Sequence, residues 1–257
     1  MPAHRDGDCQ SLRGAWVRSC VAAKADFAYR PSMTYADVEH FSETGSALFP
    51  CAVAGQLLEF ERIFGTVPPQ DAGTRIHGVR SLRPHLSACG SIGGIATLLL
   101  GSKARPVRAV FFNKCAENNW ALAWHQDRTI CVRERVDVEG FGPWTVKQGL
   151  VHVAPPVELL ENMVTVRVHL DDVPSTNAPL LVSPGTHKLG RVPVGQVSEV
   201  VEQFGSAACL ANAGDVWAYS TLILHASDAA TKPANRRVLQ VDFSVDELPG
   251  GLNWQGV

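Results

Sequence analysis

The stretch WHQDRTICV, residues 124 to 132, sets an imidazole at His125 and a carboxylate at Asp127 one residue apart, just before a β-branched, apolar run. That pair can be half of a metal site. The triplet alone is a weak signal, because nine His in 257 residues make chance matches common. A third ligand should come from a strand distant in sequence and adjacent in a sheet. His225 in LILHASDAA fits, at the end of an apolar run. Two imidazoles and one carboxylate on one face of an octahedral metal form the triad of non-haem Fe(II) oxygenases, which leaves positions open for cosubstrate and oxygen. The competing reading makes the triplet an accident of composition and His225 a core histidine bonded to a backbone carbonyl.

The elements that would carry such a site follow from periodicity. Residues 1 to 30 carry mixed charge without a sustained period and read as a flexible N-terminal arm, with one helical turn around Leu12 to Ala23. Helices are expected over Tyr35 to Thr44, stopping at Gly45, over Val53 to Phe64, stopping at Gly65, and over Pro84 to Leu100, weakened by Gly90, Gly93 and Gly94. A short strand, Ala47 to Pro50, lies among them. After residue 105 the texture changes to short β-branched or aromatic runs: Val107–Phe112, Val164–Leu170, Pro179–Val182, Asp215–Tyr219, Leu222–His225 and Val238–Phe243. In the second of these Val164, Val166, Val168 and Leu170 share one face, and Met163, Thr165, Arg167 and His169 the other. Helices followed by many short strands predict a mainly β fold, a double-stranded β-helix or jelly roll buttressed by N-terminal helices, with residues 31–257 as its single domain.

Composition narrows the partners. A net charge of -2 gives no global field for nucleic acid or an anionic membrane surface. No apolar run is long enough to cross a bilayer, and the N-terminus lacks a signal-peptide core. The seven cysteines are scattered, without C-x-x-C spacing, and are expected to be reduced thiols in a cytoplasmic protein. The expected partner is a small molecule; the oligomeric state is not legible.

The chain resembles the phytanoyl-CoA dioxygenase family of Fe(II)/2-oxoglutarate oxygenases through blocks in family order from about Asn113 to Trp254: FFNKCAENNWALAWHQD, KQGLVHVAPPVELLENMVTVRVHLDD, NAPLLVSPGTHKLG, GDVWAYSTLILHAS, NRRVLQVDF and LPGGLNW. The resemblance implies iron ligands at His125, Asp127 and His225, with Fe(II), 2-oxoglutarate and O2 as cofactor and cosubstrates. It implies that Arg236, eleven residues after His225, grips the far carboxylate of 2-oxoglutarate with help from Ser227. A planar guanidinium suits that bidentate pairing. Strand alternation puts the competing Arg237 on the face of Leu239, Val241 and Phe243, a packing surface. Asn113 and Lys114 are further cosubstrate candidates, and an exposed, solvated lysine is the ordinary fate of the latter.

The implied reaction is oxidation, in the first place hydroxylation, of an unactivated C–H bond with release of succinate and CO2. Desaturation, epoxidation, cyclisation or epimerisation can issue from the same centre. A rival of another class is a redox-inert metal jelly roll that binds a metabolite, a site with no need of a carboxylate clamp at Arg236. Arg133 to Pro156 reads as a long Gly- and Pro-containing connection that can serve as a binding loop, with Trp144, Lys147 and His152 facing substrate, or as a surface loop with Trp144 tucked against the core. Thr165 and Arg167 would line the cavity if their face is lumenal.

Overall fold

The computed structural model describes residues 35–65, 67 and 73–257; the expected arm over residues 1–30 and its helical turn lie outside them. Helix α1, Tyr35–Thr44, ends where expected, as the Gly45 N–H caps Phe41 O at 2.7 Å with φ +80°. Strand β1, Ser46–Phe49, and helix α2, Leu57–Phe64, follow. The helix expected over Pro84 to Leu100 is broken into α3, Arg83–Leu86, and α4, Gly93–Leu100. The chain doubles back tightly there: a Cβ on Gly90 would sit 2.2 Å from Pro84 O, and one on Gly93 2.1 Å from Ser87 O. The glycines permit a close approach, which overrides helix continuation.

The β part comprises β2 (Thr74–Ile76), β3 (Arg105–Lys114), β4 (Leu122–His125), β5 (Ile130–Val132), β6 (Trp144–Lys147), β7 (Leu150–Val153), β8 (Met163–His169), β9 (Leu180–Val182), β10 (Ala207–Cys209), β11 (Val216–Ser220), β12 (His225–Ser227) and β13 (Arg236–Ser244). They form a major sheet in the order β1-β11-β8-β13-β3-β2, a minor sheet β10-β9-β12-β4 and a small sheet β5-β7-β6. The pairings are antiparallel, as in a jelly roll. The strand expected over Leu222 to His225 is shifted: Leu222, Ile223 and Leu224 form a buried turn, with the Ile223 N–H donating to Ser220 O, and pairing begins at His225.

The two faces of the major sheet divide as alternation requires. Val164, Val166, Val168, Leu239, Val241 and Phe243 pack with Phe60, Phe64, Ile92 and Ile95 of the helical layer. Each such fully buried side chain contributes roughly 1.5–3 kcal/mol. The register lays the polar face out in rows across three neighbouring strands: Thr165, Asp242 and Arg108; then Arg167, Gln240 and Val110; then Arg236 beside Lys114. This face looks toward the site.

The segment from Arg133 to Pro156 is not a simple loop. It contains the β6–β7 hairpin, which joins β5 over a second apolar cluster including Ile130, Val132, Val153 and Leu160. Of the cysteines expected to be reduced, Cys89, Cys115, Cys131 and Cys209 are free, whereas Cys51 is disulfide-bonded. Spacing alone does not reveal such connectivity. Among the described residues no helix is long and apolar enough to cross a membrane.

Candidate active site

His125 closes β4 and His225 opens β12, and the two are direct partners in the antiparallel register. Their rings lie 4.2 Å apart, centroid to centroid, at 55°. Each Nδ1 lies against the carbonyl two residues back, His125 on Ala123 O at 2.8 Å and His225 on Ile223 O at 3.0 Å. With Nδ1–H donating, each ring presents the Nε2 lone pair that a metal needs. Asp127 joins them, and one ligand atom from each of the three residues lies within 4.8 Å of the others. The donor set fits Fe(II): two imidazole nitrogens and one carboxylate on a common side.

Gln126, between two of these residues, is anchored elsewhere. Its Nε2 donates to Gly190 O and Leu222 O at 2.8 and 2.7 Å, and its Oε1 accepts from the Val192 N–H at 2.9 Å. The motif is thereby pinned to two loops through its middle residue.

Behind Asp127 lies a buried polar network. Arg108 reaches Asp127 at 3.4 Å and bonds Asp242, whose carboxylate also accepts from Thr165 Oγ1 at 3.0 Å. Burial alone would raise the Asp127 carboxyl, but Arg108, then His225 and His125, outweigh it and leave the group below its usual range. Asp242 moves the other way, raised by burial and by the Asp127 charge despite Arg108. Burial, against the pull of Asp127, lowers His225 to about 4, which keeps it in the neutral form that binds metal.

A cavity of about 180 Å³ opens on the triad, lined also by Arg75, Arg108, Phe112, Trp120, Lys147, Arg167, Ser227, Arg236 and Gln240. Its deep end is cationic. Arg236, 3% exposed, bonds Ala178 O and leaves its Nε without a partner. Burial and then the neighbouring Arg167 lower its proton affinity, an unfavourable setting that a bound anion relieves. Lys114 Nζ lies directly behind, 3.3 Å from Ser227 Oγ and 2.9 Å from Asp228 O, over the Trp120 ring. Burial, then Arg236, lowers Lys114 to about 8. Arg167 donates to Gln240 Oε1 at 3.0 Å and lies over Phe112. Among the described residues, no acidic side chain forms an ion pair with Arg167, Arg236 or Lys114.

Several sequence expectations need correction. Lys114 is not a solvated surface lysine but 2% exposed, because it shares the inward face of β3 with Phe112 and Arg108. Asn113 lies on the opposite face, beside Arg237, and does not line the cavity. Arg237 is held by Asp171 and Glu61 on the helix side. Thr165 is taken up by Asp242 and Thr221, behind the cavity wall. Trp144 packs into the second apolar cluster under Arg135, and His152 is fully buried with Nδ1 on Leu150 O; neither lines the cavity. Lys147 and Arg167 do line it. Arg75, Arg108 and Gln240 were missed, since a polar residue on a strand reads as surface until the opposing sheet is known.

A jelly roll with two histidines and a carboxylate at the mouth of a cationic cavity defines the class of non-haem iron oxygenases. A profile of the phytanoyl-CoA dioxygenase (PhyH) family matches residues 96–238, and the chain belongs to that family. It is an Fe(II)/2-oxoglutarate-dependent oxygenase, with Fe(II) as the cofactor and 2-oxoglutarate and O2 as the cosubstrates the family uses. The redox-inert alternative is set aside. The fold is similar to that of EctD from S. alaskensis with bound Fe, at TM-score 0.61 and 15% identity over 86% of this chain and 80% of that one. It is similar to the epimerase SnoN from nogalamycin biosynthesis, at TM-score 0.61 and 17% identity over 84% and 87%, and to the carbocyclase SnoK of the same biosynthesis, at 0.58 and 17% over 83% and 84%. No curated protein sequence matches the chain.

Proposed function

We propose that the protein hydroxylates an unactivated C–H bond of a small-molecule metabolite, with 2-oxoglutarate converted to succinate and CO2. The observation that supports it is the convergence of His125, Asp127 and His225 on one point of the cavity that Arg236 enters from its deep end. In this reading those three residues hold the iron. Arg236, with Ser227 and Lys114, holds the far carboxylate of 2-oxoglutarate, which a paired guanidinium and ammonium bind strongly out of water. Iron with bound 2-oxoglutarate supplies the O2-derived oxidising power. The chain supplies ligands, orientation and shelter. Arg108, pinned by Asp242, keeps the Asp127 carboxylate ionised and aimed, and Gln126 fixes the backbone between two ligands.

The structural neighbours include an epimerase and a carbocyclase, so such a centre would support outcomes other than hydroxylation. EctD has been seen with 2-oxoglutarate and 5-hydroxyectoine, and SnoN with Fe3+, alpha ketoglutarate and nogalamycin RO. Substrate pose decides between hydroxylation, desaturation, epoxidation, cyclisation and epimerisation. The test is a screen of candidate metabolites for Fe(II)-dependent, substrate-stimulated succinate release, with products identified by mass spectrometry. A gain of one oxygen atom as a hydroxyl on a carbon that carried hydrogen supports hydroxylation, whereas an epoxide, a loss of two hydrogens without oxygen gain, or an unchanged formula overturns it.

A further inference from the structure

The cavity holds more positive charge than metal ligation and 2-oxoglutarate binding use. Arg108 is answered by Asp127 and Asp242. Arg236, Arg167 and Lys114 cluster around the deep end, where one carboxylate of 2-oxoglutarate answers them in the reading above. Two further cations, Arg75 on β2 and Lys147 at the end of β6, line the same cavity. Neither forms an ion pair among the described residues. Arg75 bonds only neutral oxygens, Gly73 O at 3.3 Å and Gln148 Oε1 at 3.5 Å, and its buried Nε has no partner.

The fold brings both to the same cavity. Gln148, at the tip of the β6–β7 hairpin, donates from Nε2 to Gly73 O at 2.9 Å, which ties the hairpin to the start of β2. Arg75 also donates to Gln148 Oε1, and Lys147 is the neighbouring residue on the hairpin. Both side chains line the cavity that also holds His125, Asp127 and His225, so the pair belongs to the space around the triad. Lys147 is exposed and Arg75 half-buried at the same cavity, and an anion within reach of both would give each a charge-assisted partner.

We propose that Arg75 and Lys147 form the binding site for an anionic group, a carboxylate or a phosphate monoester, on the prime substrate. The assignment rests on the oxygenase reading of the cavity and deepens it: the guanidinium and ammonium hold the anionic end, which directs the remainder of the molecule at the triad.

The test is calorimetry on anaerobic protein loaded with Fe(II) and then 2-oxoglutarate. The probes are phenylacetate, phenyl phosphate, the neutral phenylacetamide and the cationic phenethylamine. The expected result is that at least one anion binds about tenfold tighter than the amide and the amine, and that R75Q/K147Q removes about tenfold of that affinity while the 2-oxoglutarate affinity changes by less than about twofold. Whether phenylacetate or phenyl phosphate binds tighter identifies the anion as carboxylate or phosphate; both results uphold the site. No preference for the anions, or anion binding unchanged in R75Q/K147Q, overturns it. A large loss of 2-oxoglutarate affinity in R75Q/K147Q also overturns it, by giving these cations to the cosubstrate. The 2-oxoglutarate titration that precedes the probes tests the underlying reading separately. If no 2-oxoglutarate binds but the anions still bind through Arg75 and Lys147, the site stands and only the oxygenase reading fails.

Discussion

His125 and His225 face each other directly across the β4–β12 pair, with ring centroids 4.2 Å apart, although a hundred residues separate them in the chain. Both rings spend Nδ1 on a carbonyl two residues back in the chain, so neither ties distant parts of the fold together through that atom. His125→Ala and His225→Ala are therefore expected to fold normally and to lose Fe(II) affinity by about tenfold or more. Circular dichroism checks the first outcome and anaerobic metal titration the second. Undiminished metal affinity in His225→Ala would remove that residue from the ligand set.

Arg236 and Arg237 are neighbours with opposite surroundings. Arg236→Gln is expected to weaken 2-oxoglutarate binding by an order of magnitude or more, the cost of an ionic partner lost from a buried site, about 2 kcal/mol. Arg237→Gln is expected to leave that affinity unchanged. It should instead lower thermal stability by about 1–2 kcal/mol, since it removes the bonds to Asp171 and Glu61, which are partly solvated. Calorimetric titration and thermal melts of both variants separate the two roles, and a reversed pattern would mean the cosubstrate enters from the other face.

Lys114 gives the cosubstrate site a pH dependence. Its ammonium is lowered to about 8 by burial and then by Arg236, so it is charged below that pH and neutral above it. A positive charge behind Ser227 favours a dicarboxylate. The affinity for 2-oxoglutarate should thus fall as pH rises through about 8 and beyond. In Lys114→Gln the fall should vanish and the low-pH affinity should already be reduced. Parallel pH profiles for the two proteins would exclude Lys114 as the titrating group.

Gln126→Ala tests the anchoring of the motif. Three hydrogen bonds disappear from a buried side chain, each worth about 1 kcal/mol net, so stability is expected to drop by about 2–3 kcal/mol. Iron affinity should weaken as well, because Asp127 and His125 lose their common support. A denaturation curve shifted by less than about 0.5 kcal/mol would show that the loops carrying Gly190 and Val192 do not depend on this residue.

What could be read beforehand depended on how few roles a residue type has. Two histidines and an aspartate at strand-compatible positions are chemically specific, and alternation in β8 and β13 correctly separated Arg167 and Arg236 from the packing face. Arginine and lysine carry no such label. Lys114 reads as a cosubstrate candidate whose ordinary fate is solvation, nothing singles out Arg75 or Arg108, and only the register of β3 against β13 and the placement of β2 turn them inward. The β5–β7 sheet escaped notice because its strands are three or four residues long and lie in a Gly-containing stretch. The break between α3 and α4 depends on contacts of Gly90 and Gly93 with earlier carbonyls, which a hydrophobic pattern does not encode.

The central claim, that His125, Asp127, His225 and Arg236 form one iron and 2-oxoglutarate centre, is tested most directly by titrating the anaerobic protein with Fe(II), then 2-oxoglutarate, and then admitting O2. One iron and one 2-oxoglutarate should bind per chain, with iron required for tight 2-oxoglutarate binding, and succinate should form on exposure to O2. His225→Ala should lose the iron-dependent step and Arg236→Gln the 2-oxoglutarate step. Wild-type protein that takes up iron but neither binds 2-oxoglutarate nor forms succinate would contradict the account.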